Sequence, residues 1–274
     1  MNARAVIVGM MIVTSNNIII LGSGRSGTSA VAGSIITGNG PKYNTGGPTH
    51  KADKFNAKGY FESNAINNIN NGILWSCPHV KTTEGLKQGW LSVLDKNHII
   101  SDVSHDIEDR IERVIKEQPV CLKDPRFSYT LPVWLRYLTN LKIICVFRHP
   151  KLAIQSIMYH CQNAEYLKGK IKIDLDFCQK IWVSIYEYIL NNYKTLDVLY
   201  INYANFVVGK GEQKLSHFIG HKINVNFRDE KLVHFGHKNL DFEINNKLTE
   251  IYLKLCELEY NEPCYRANYS PEKI

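Results

Sequence analysis

The stretch Ile18–Ile36, IIILGSGRSGTSAVAGSII, restricts this chain more than any other part of it. A four-residue apolar run, Ile18 to Leu21, breaks into a loop carrying Gly22, Gly24 and Gly27. A helical pattern follows at once, with Val31, Ile35 and Ile36 on one face. Strand, glycine-rich loop and helix in this order gather backbone N–H groups and a helix N-terminus around an anion. The glycines admit close approach of the backbone, and Thr28 and Ser29 add hydroxyls at the helix start. A plain tight turn would also use such glycines, so by itself the loop specifies an oxyanion binder and no more.

Gly22 to Gly27 satisfies G-x-x-x-x-G, but the nucleoside-triphosphate version of the loop continues with Lys and then Ser or Thr. Thr28 and Ser29 stand in those places, and the loop's cation is Arg25. A triphosphatase built this way has lost its usual charge on the terminal phosphates.

Farther along, apolar runs and helical periodicity alternate. Asn39–Lys58 is a loop of about twenty residues rich in Gly, Pro, Asn and Lys, a length that in compact domains usually serves function. It closes at Gly59-Tyr60-Phe61-Glu62, and a helix is expected over Ser63–Leu74. Ser104–Gln118 reads as an amphipathic helix with a solvated charged face, ended by Pro119. Val120–Lys123 is a short buried strand running into Asp124-Pro125-Arg126, with a helix expected over Leu131–Leu138. Leu141–Phe147 is the clearest strand and ends in Arg148-His149-Pro150, with Pro150 suited to the first turn of a helix through Cys161. Asn163–Lys172 is a basic loop, Asp174–Tyr193 a long helix, Leu196–Ile201 a strand, and Phe242–Leu258 a last helix. The alternation predicts an α/β fold, a doubly wound and mainly parallel sheet flanked by helices, as one domain over residues 1–274. Ligands of such sheets bind beyond the carboxyl ends of the strands. Gly22–Ser29, Lys123–Arg126 and Arg148–Pro150 are therefore expected to converge on one edge.

A net charge of +7 favours anionic ligands, while the absence of Arg- or Lys-rich runs argues against nucleic acid. Seven cysteines without a C-x-x-C pair read as reduced thiols of a cytoplasmic protein, Cys121 and Cys145 as core residues. The apolar stretch Ala5–Val13 is too short to span a bilayer, which leaves a targeting signal as its other reading, and stable membrane insertion is not expected.

With these residues in view, the chain resembles the sulfotransferases that use 3′-phosphoadenosine 5′-phosphosulfate, especially bacterial members acting on carbohydrates and related metabolites. GSGRSGTS looks like their 5′-phosphosulfate loop, in which hydroxyl residues replace the lysine. FRHPKLAIQS looks like their 3′-phosphate motif, an Arg at a strand end and a helix Ser eight residues later. NAKGYFE and LKDPRFSYTLPVW resemble intermediate segments, so the match extends from about residue 18 to 156. The resemblance implies a cradle of Gly24, Arg25, Ser26, Gly27, Thr28 and Ser29 for the 5′-phosphosulfate, with Arg148 and Ser156 on the 3′-phosphate. An Arg fork and a hydroxyl suit a phosphate. It implies Lys123 near the donor's bridging oxygen, where a fixed cation favours the transition state, and Tyr203 against the adenine. In place of the family's Tyr-Glu-Asp-Leu this chain has Tyr-Ala-Asn-Phe.

Glu62 is the candidate general base, with His50 and Asp53 as substitutes, a helix-capping role for Glu62 being the other reading. Asp124 is expected to orient Lys123 or Arg126. His234 and His237 lack a third ligand, and no metal is expected. The acceptor is expected to bear a hydroxyl, on a saccharide or another small molecule. A P-loop kinase or nucleotidase, or a donor-binding module without turnover, are the alternatives.

Overall fold

The structure, a computed structural model, describes residues 15–228 and 242–260. Its centre is a four-stranded sheet of β1 (Asn17–Leu21), β3 (Cys121–Lys123), β4 (Leu141–Phe147) and β6 (Val198–Asn202). The order is β3-β1-β4-β6, and every pairing is parallel. The short apolar runs behave as sheet strands covered on both faces do, with no polar alternation. Successive side chains point to opposite faces. Ile18, Ile20, Ile144, Val146, Leu199 and Ile201 join one core with Val31 and Ile35 of α1 (Thr28–Ile36). Ile19, Leu21, Ile143, Cys145 and Phe147 join the other. That second core is closed by α2 (Asn64–Ser76), α4 (Phe127–Trp134), α5 (Pro150–Asn163) and α6 (Leu175–Asn192).

The expected alternation of strands and helices is thus present, with differences at several ends. The helix placed over Leu131–Leu138 begins earlier, as α4. Pro132 lies inside it and supplies no N–H to the Ser128 carbonyl four residues back; the Tyr193 hydroxyl donates to that carbonyl at 3.1 Å instead. The charged helix, α3 (His105–Val114), stops short of Gln118. Asn44 Nδ2 donates to the carbonyls of Val114 (2.8 Å) and Glu117 (2.9 Å), capping its end from the long loop. Between α2 and α6, β2 (Glu84–Gly85) pairs antiparallel with β5 (Ile171–Lys172) at the periphery. After β6 come α7 (Tyr203–Val207), α8 (Glu212–Ile219), a 3-10 turn at Val225–Phe227, and α9 (Asn246–Tyr260). Cys121 and Cys145 are buried, as expected, and burial pushes both thiols well above their ordinary range. Among the described residues, no helix is long and apolar enough to cross a membrane.

The strand order reverses at β1, whose neighbours are β3 and β4. This is the switch point where a parallel sheet opens a crevice at its carboxyl edge.

Candidate functional site

The crevice is present as a cavity of about 630 Å³. Gly24 to Ser29, apart from Ser26, line it together with Glu62, Lys123, Arg126, Arg148, Ser156 and Tyr203. The three polar strand endings therefore do meet in one place.

The glycine loop is shaped by what crowds it. A Cβ on Gly22 would lie 2.1 Å from the Val146 carbonyl oxygen of β4, and one on Gly27 would lie 2.1 Å from the Tyr203 ring. Gly27 also holds φ +91, in the left-handed region where other residues are strained. Ser128 Oγ accepts the Gly22 N–H at 3.1 Å, and the Tyr186 hydroxyl accepts the Ser23 N–H at 3.2 Å. Gly27 precedes α1 without a side-chain cap, and its carbonyl receives the N–H groups of Ala30 and Val31. The Thr28 and Ser29 N–H groups have no carbonyl partner among the described residues, which leaves a helix start able to meet an anion.

Ser26 departs from the expected cradle. Its side chain is fully buried and outside the cavity lining, where the Tyr186 hydroxyl donates to its Oγ at 3.1 Å. The physical reason is the turn itself: Ser26 N–H closes back on the Ser23 carbonyl at 3.2 Å, which turns this residue into the core.

Lys123 ends β3 with its side chain only 1% exposed. Its ammonium donates to Ser29 Oγ at 3.1 Å and pairs with the Glu62 carboxylate. Glu62 is not the helix cap. Ser63 fills that position, its hydroxyl accepting the Ile66 N–H at 3.2 Å. Asp124 turns away from the cavity to Arg126, Oδ1 to Nη1 at 2.9 Å, which decides which cation it orients. Burial would raise the Asp124 carboxyl, but the Arg126 guanidinium and N–H donors from Arg126, Asn67 and Asn70 hold it below its ordinary range.

Arg148 follows β4, buried, its guanidinium carbon 5.7 Å from the Tyr203 ring centroid. Tyr203 therefore packs between Gly27 and Arg148 at the start of α7. A carboxylate distant in the chain lies against Tyr-Ala-Asn-Phe. Glu259 of α9 accepts the Asn202 N–H and the Asn205 amide, both at 2.8 Å. Ser156 of α5 lines the same cavity, its Oγ accepting from Arg25 Nε at 3.2 Å. Arg25 also donates to the Phe55 carbonyl at 2.7 Å, reaching across from the glycine loop to the long loop.

The substitutes for the base are differently placed. Asp53 is taken up by its own turn, accepting the N–H groups of Phe55 and Asn56 and the Tyr60 hydroxyl at 2.8 to 2.9 Å. His50 Nε2 lies 3.0 Å from Asn67 Oδ1. His234 and His237 lie outside the described residues, among which no group of His, Cys, Asp and Glu has a metal-site arrangement.

Several lining residues carried no separate sequence signal. Trp90 packs so closely on Gly24 that a Cβ there would lie 2.7 Å from its ring. His160, one turn after Ser156, stacks edge-on with Phe55 and Trp90 and contacts the Tyr166 hydroxyl at 2.9 Å. Spacing along α5 brings His160 to Ser156's face, a pattern legible only once Ser156 is assigned.

No protein-family model matches the chain, and no curated protein matches it. Among solved structures it is similar to a sulfotransferase from Alicyclobacillus acidocaldarius, at 12% identity and TM-score 0.49, over 93% of this chain and all of that one. The sulfotransferase domain from the curacin biosynthetic pathway gives 15% identity and TM-score 0.48, over 88% of this chain and 98% of that one. The sulfotransferase domain of a Synechococcus olefin synthase gives 15% and 0.45, over 91% and 96%.

Proposed function

We propose that this chain, as one catalytic domain, moves a sulfuryl group from 3′-phosphoadenosine 5′-phosphosulfate to a hydroxyl of a saccharide-containing or other small-molecule acceptor. The observation that carries the reading is the position of the Lys123 ammonium, between the Ser29 hydroxyl at the start of α1 and the Glu62 carboxylate. One buried cation thus touches both the anion loop and the candidate base. The donor's charge suits the remaining residues: N–H groups at Thr28 and Ser29 without a carbonyl partner among the described residues, the Arg25 fork, and buried Arg148 beside an aromatic ring.

In this reading the acceptor oxygen attacks sulfur as the bond from sulfur to the phosphate oxygen breaks. Glu62 takes the hydroxyl proton, and Lys123 faces the negative charge growing on the departing phosphate. The products are a sulfate ester and 3′,5′-diphosphoadenosine. As in phosphoryl transfer, positioning and charge do most of the work. The cytoplasm is the compartment we assign, from the unpatterned cysteines.

Calorimetric titration with 3′,5′-diphosphoadenosine, 5′-AMP and Mg-ATP tests the donor site. A clear preference for the 3′-phosphorylated ligand is expected. Equal binding, or tighter Mg-ATP, would overturn the reading in favour of a kinase or nucleotidase.

A further inference from the structure

Asn67 stands one turn into α2 and joins groups that the chain brings from three places. Its Nδ2 lies 3.3 Å from Glu62 Oε2 and 2.8 Å from Asp124 Oδ2, and its Oδ1 lies 3.0 Å from His50 Nε2. A carboxamide has two N–H donors and one carbonyl acceptor. Two carboxylates can be faced only by the NH₂ end, so the amide has one workable orientation. His50 must then present its N–H from Nε2.

We propose that Asn67 is a positioning residue for Glu62, holding Oε2 while Lys123 holds Oε1. This rests on the reading of Glu62 as general base. With one donor on each oxygen, the carboxylate plane is fixed, and each oxygen keeps a lone pair for the proton of the attacking hydroxyl. The hold is rigid because it is built into the helix start. The Asn67 backbone N–H donates to the Ser63 carbonyl at 3.0 Å, so the first turn of α2 sets its distance from the residue after Glu62.

Support of Asp124 does not by itself account for Asn67. Asp124 already receives the Arg126 side chain and backbone N–H at 2.9 Å each, and Asn70 Nδ2 at 3.1 Å. Among the described residues, the charged or titratable groups around Glu62 are Lys123 from β3, Asp124 through the shared amide, His50 from the long loop, and Tyr166 from the segment after α5. Asn67 is the neutral spacer that donates to both carboxylates.

The test is a carbon-13 NMR titration of the Glu62 carboxyl in the full chain, with the signal assigned by its loss in Glu62→Gln. Asn67→Ala removes a donor to the carboxylate and should raise its midpoint by several tenths of a pH unit. Asn67→Asp places a like charge there and should raise it by more than about one unit. Alanine favours helix at this half-buried position, and Asp124 keeps its other partners, so the fold should survive Asn67→Ala. Should Asn67→Asp not fold, Asn67→Ala alone decides. An unchanged midpoint in a folded variant would overturn the proposal. Affinity for 3′,5′-diphosphoadenosine should stay within about twofold, since a single neutral hydrogen bond outside the donor cradle is removed. If the wild-type protein itself shows no preference for that ligand, the donor reading falls, while the titration still decides what Asn67 does to Glu62.

Discussion

The two walls of the cavity are held in different ways. The wall made by strand ends is anchored through the sheet. Lys123 is the last residue of β3, Arg148 follows β4, and the glycine loop leaves β1, with all three strands in register. Lys123 and Arg148 are nearly inaccessible, and a Cβ on Gly22 or Gly27 would meet its neighbours at close range. The opposite wall, from the long loop, exposes His50, Lys51, Asp53 and Lys54. Local turns shape it, and tethers such as Arg25 to the Phe55 carbonyl and Lys58 to the Phe227 carbonyl hold it to the body, each at 2.7 Å. A strand end places a charge without help from that charge, whereas a loop depends on individual contacts. In the proposed reading, the fixed charges meet the donor and the exposed loop meets the acceptor.

Breaking the buried wall should cost most in turnover. Lys123→Met should lower the rate of sulfuryl transfer by about 10²–10³, the usual loss on removing a preorganised charge stabiliser. Affinity for 3′,5′-diphosphoadenosine should change far less. A rate within about threefold of wild type in single-turnover assays would remove Lys123 from the chemistry.

Arg148→Ala should weaken 3′,5′-diphosphoadenosine by about ten- to a hundredfold, the range of a charge-assisted phosphate contact, and adenosine 5′-phosphosulfate much less. Calorimetry with both ligands checks this, and equal losses would contradict the assigned role. Gly27→Ala combines a positive φ with contact on the Tyr203 ring. It should destabilise the fold by about 1–3 kcal/mol in denaturant unfolding; an unshifted midpoint would mean that the loop is less constrained than the packing indicates.

The smallest effect should come from His160, beside the loop. Burial lowers its imidazole from the ordinary 6.5 to about 4. The unfolded chain therefore takes up a proton that the folded chain refuses. The contribution to stability is complete above pH 6.5 and is lost as the pH falls toward 4. His160→Gln should flatten the dependence of melting temperature on pH across that window. An unchanged slope would show that other groups govern it.

Much of the strand-end wall was legible in the sequence because strand–loop–helix units are local. Ile18–Ser29 and Leu141–Pro150 each carry their own apolar run and polar ending, and the carboxyl-edge rule for parallel sheets brings them together. The inward turn of the Ser26 side chain was not legible, because a residue inside a glycine turn can face inward or outward, and the choice fell to Tyr186, 160 residues away. Glu259 could not be read at all, since a carboxylate that braces β6 from α9 has no spacing signature.

By itself the sequence determined the order of the four central strands and the helices between them, the glycine loop lacking the usual lysine, and the polar strand endings. These follow from periodicity and turn chemistry within about twenty residues. Only the tertiary structure decided that Lys123 pairs with Glu62, that Asp124 serves Arg126, and that Asn67 spans both carboxylates. Those pairings join residues that are far apart in the chain or whose side chains had several partners within reach. Which partner each one takes is set by burial and packing around the sheet edge, and no local pattern encodes that choice.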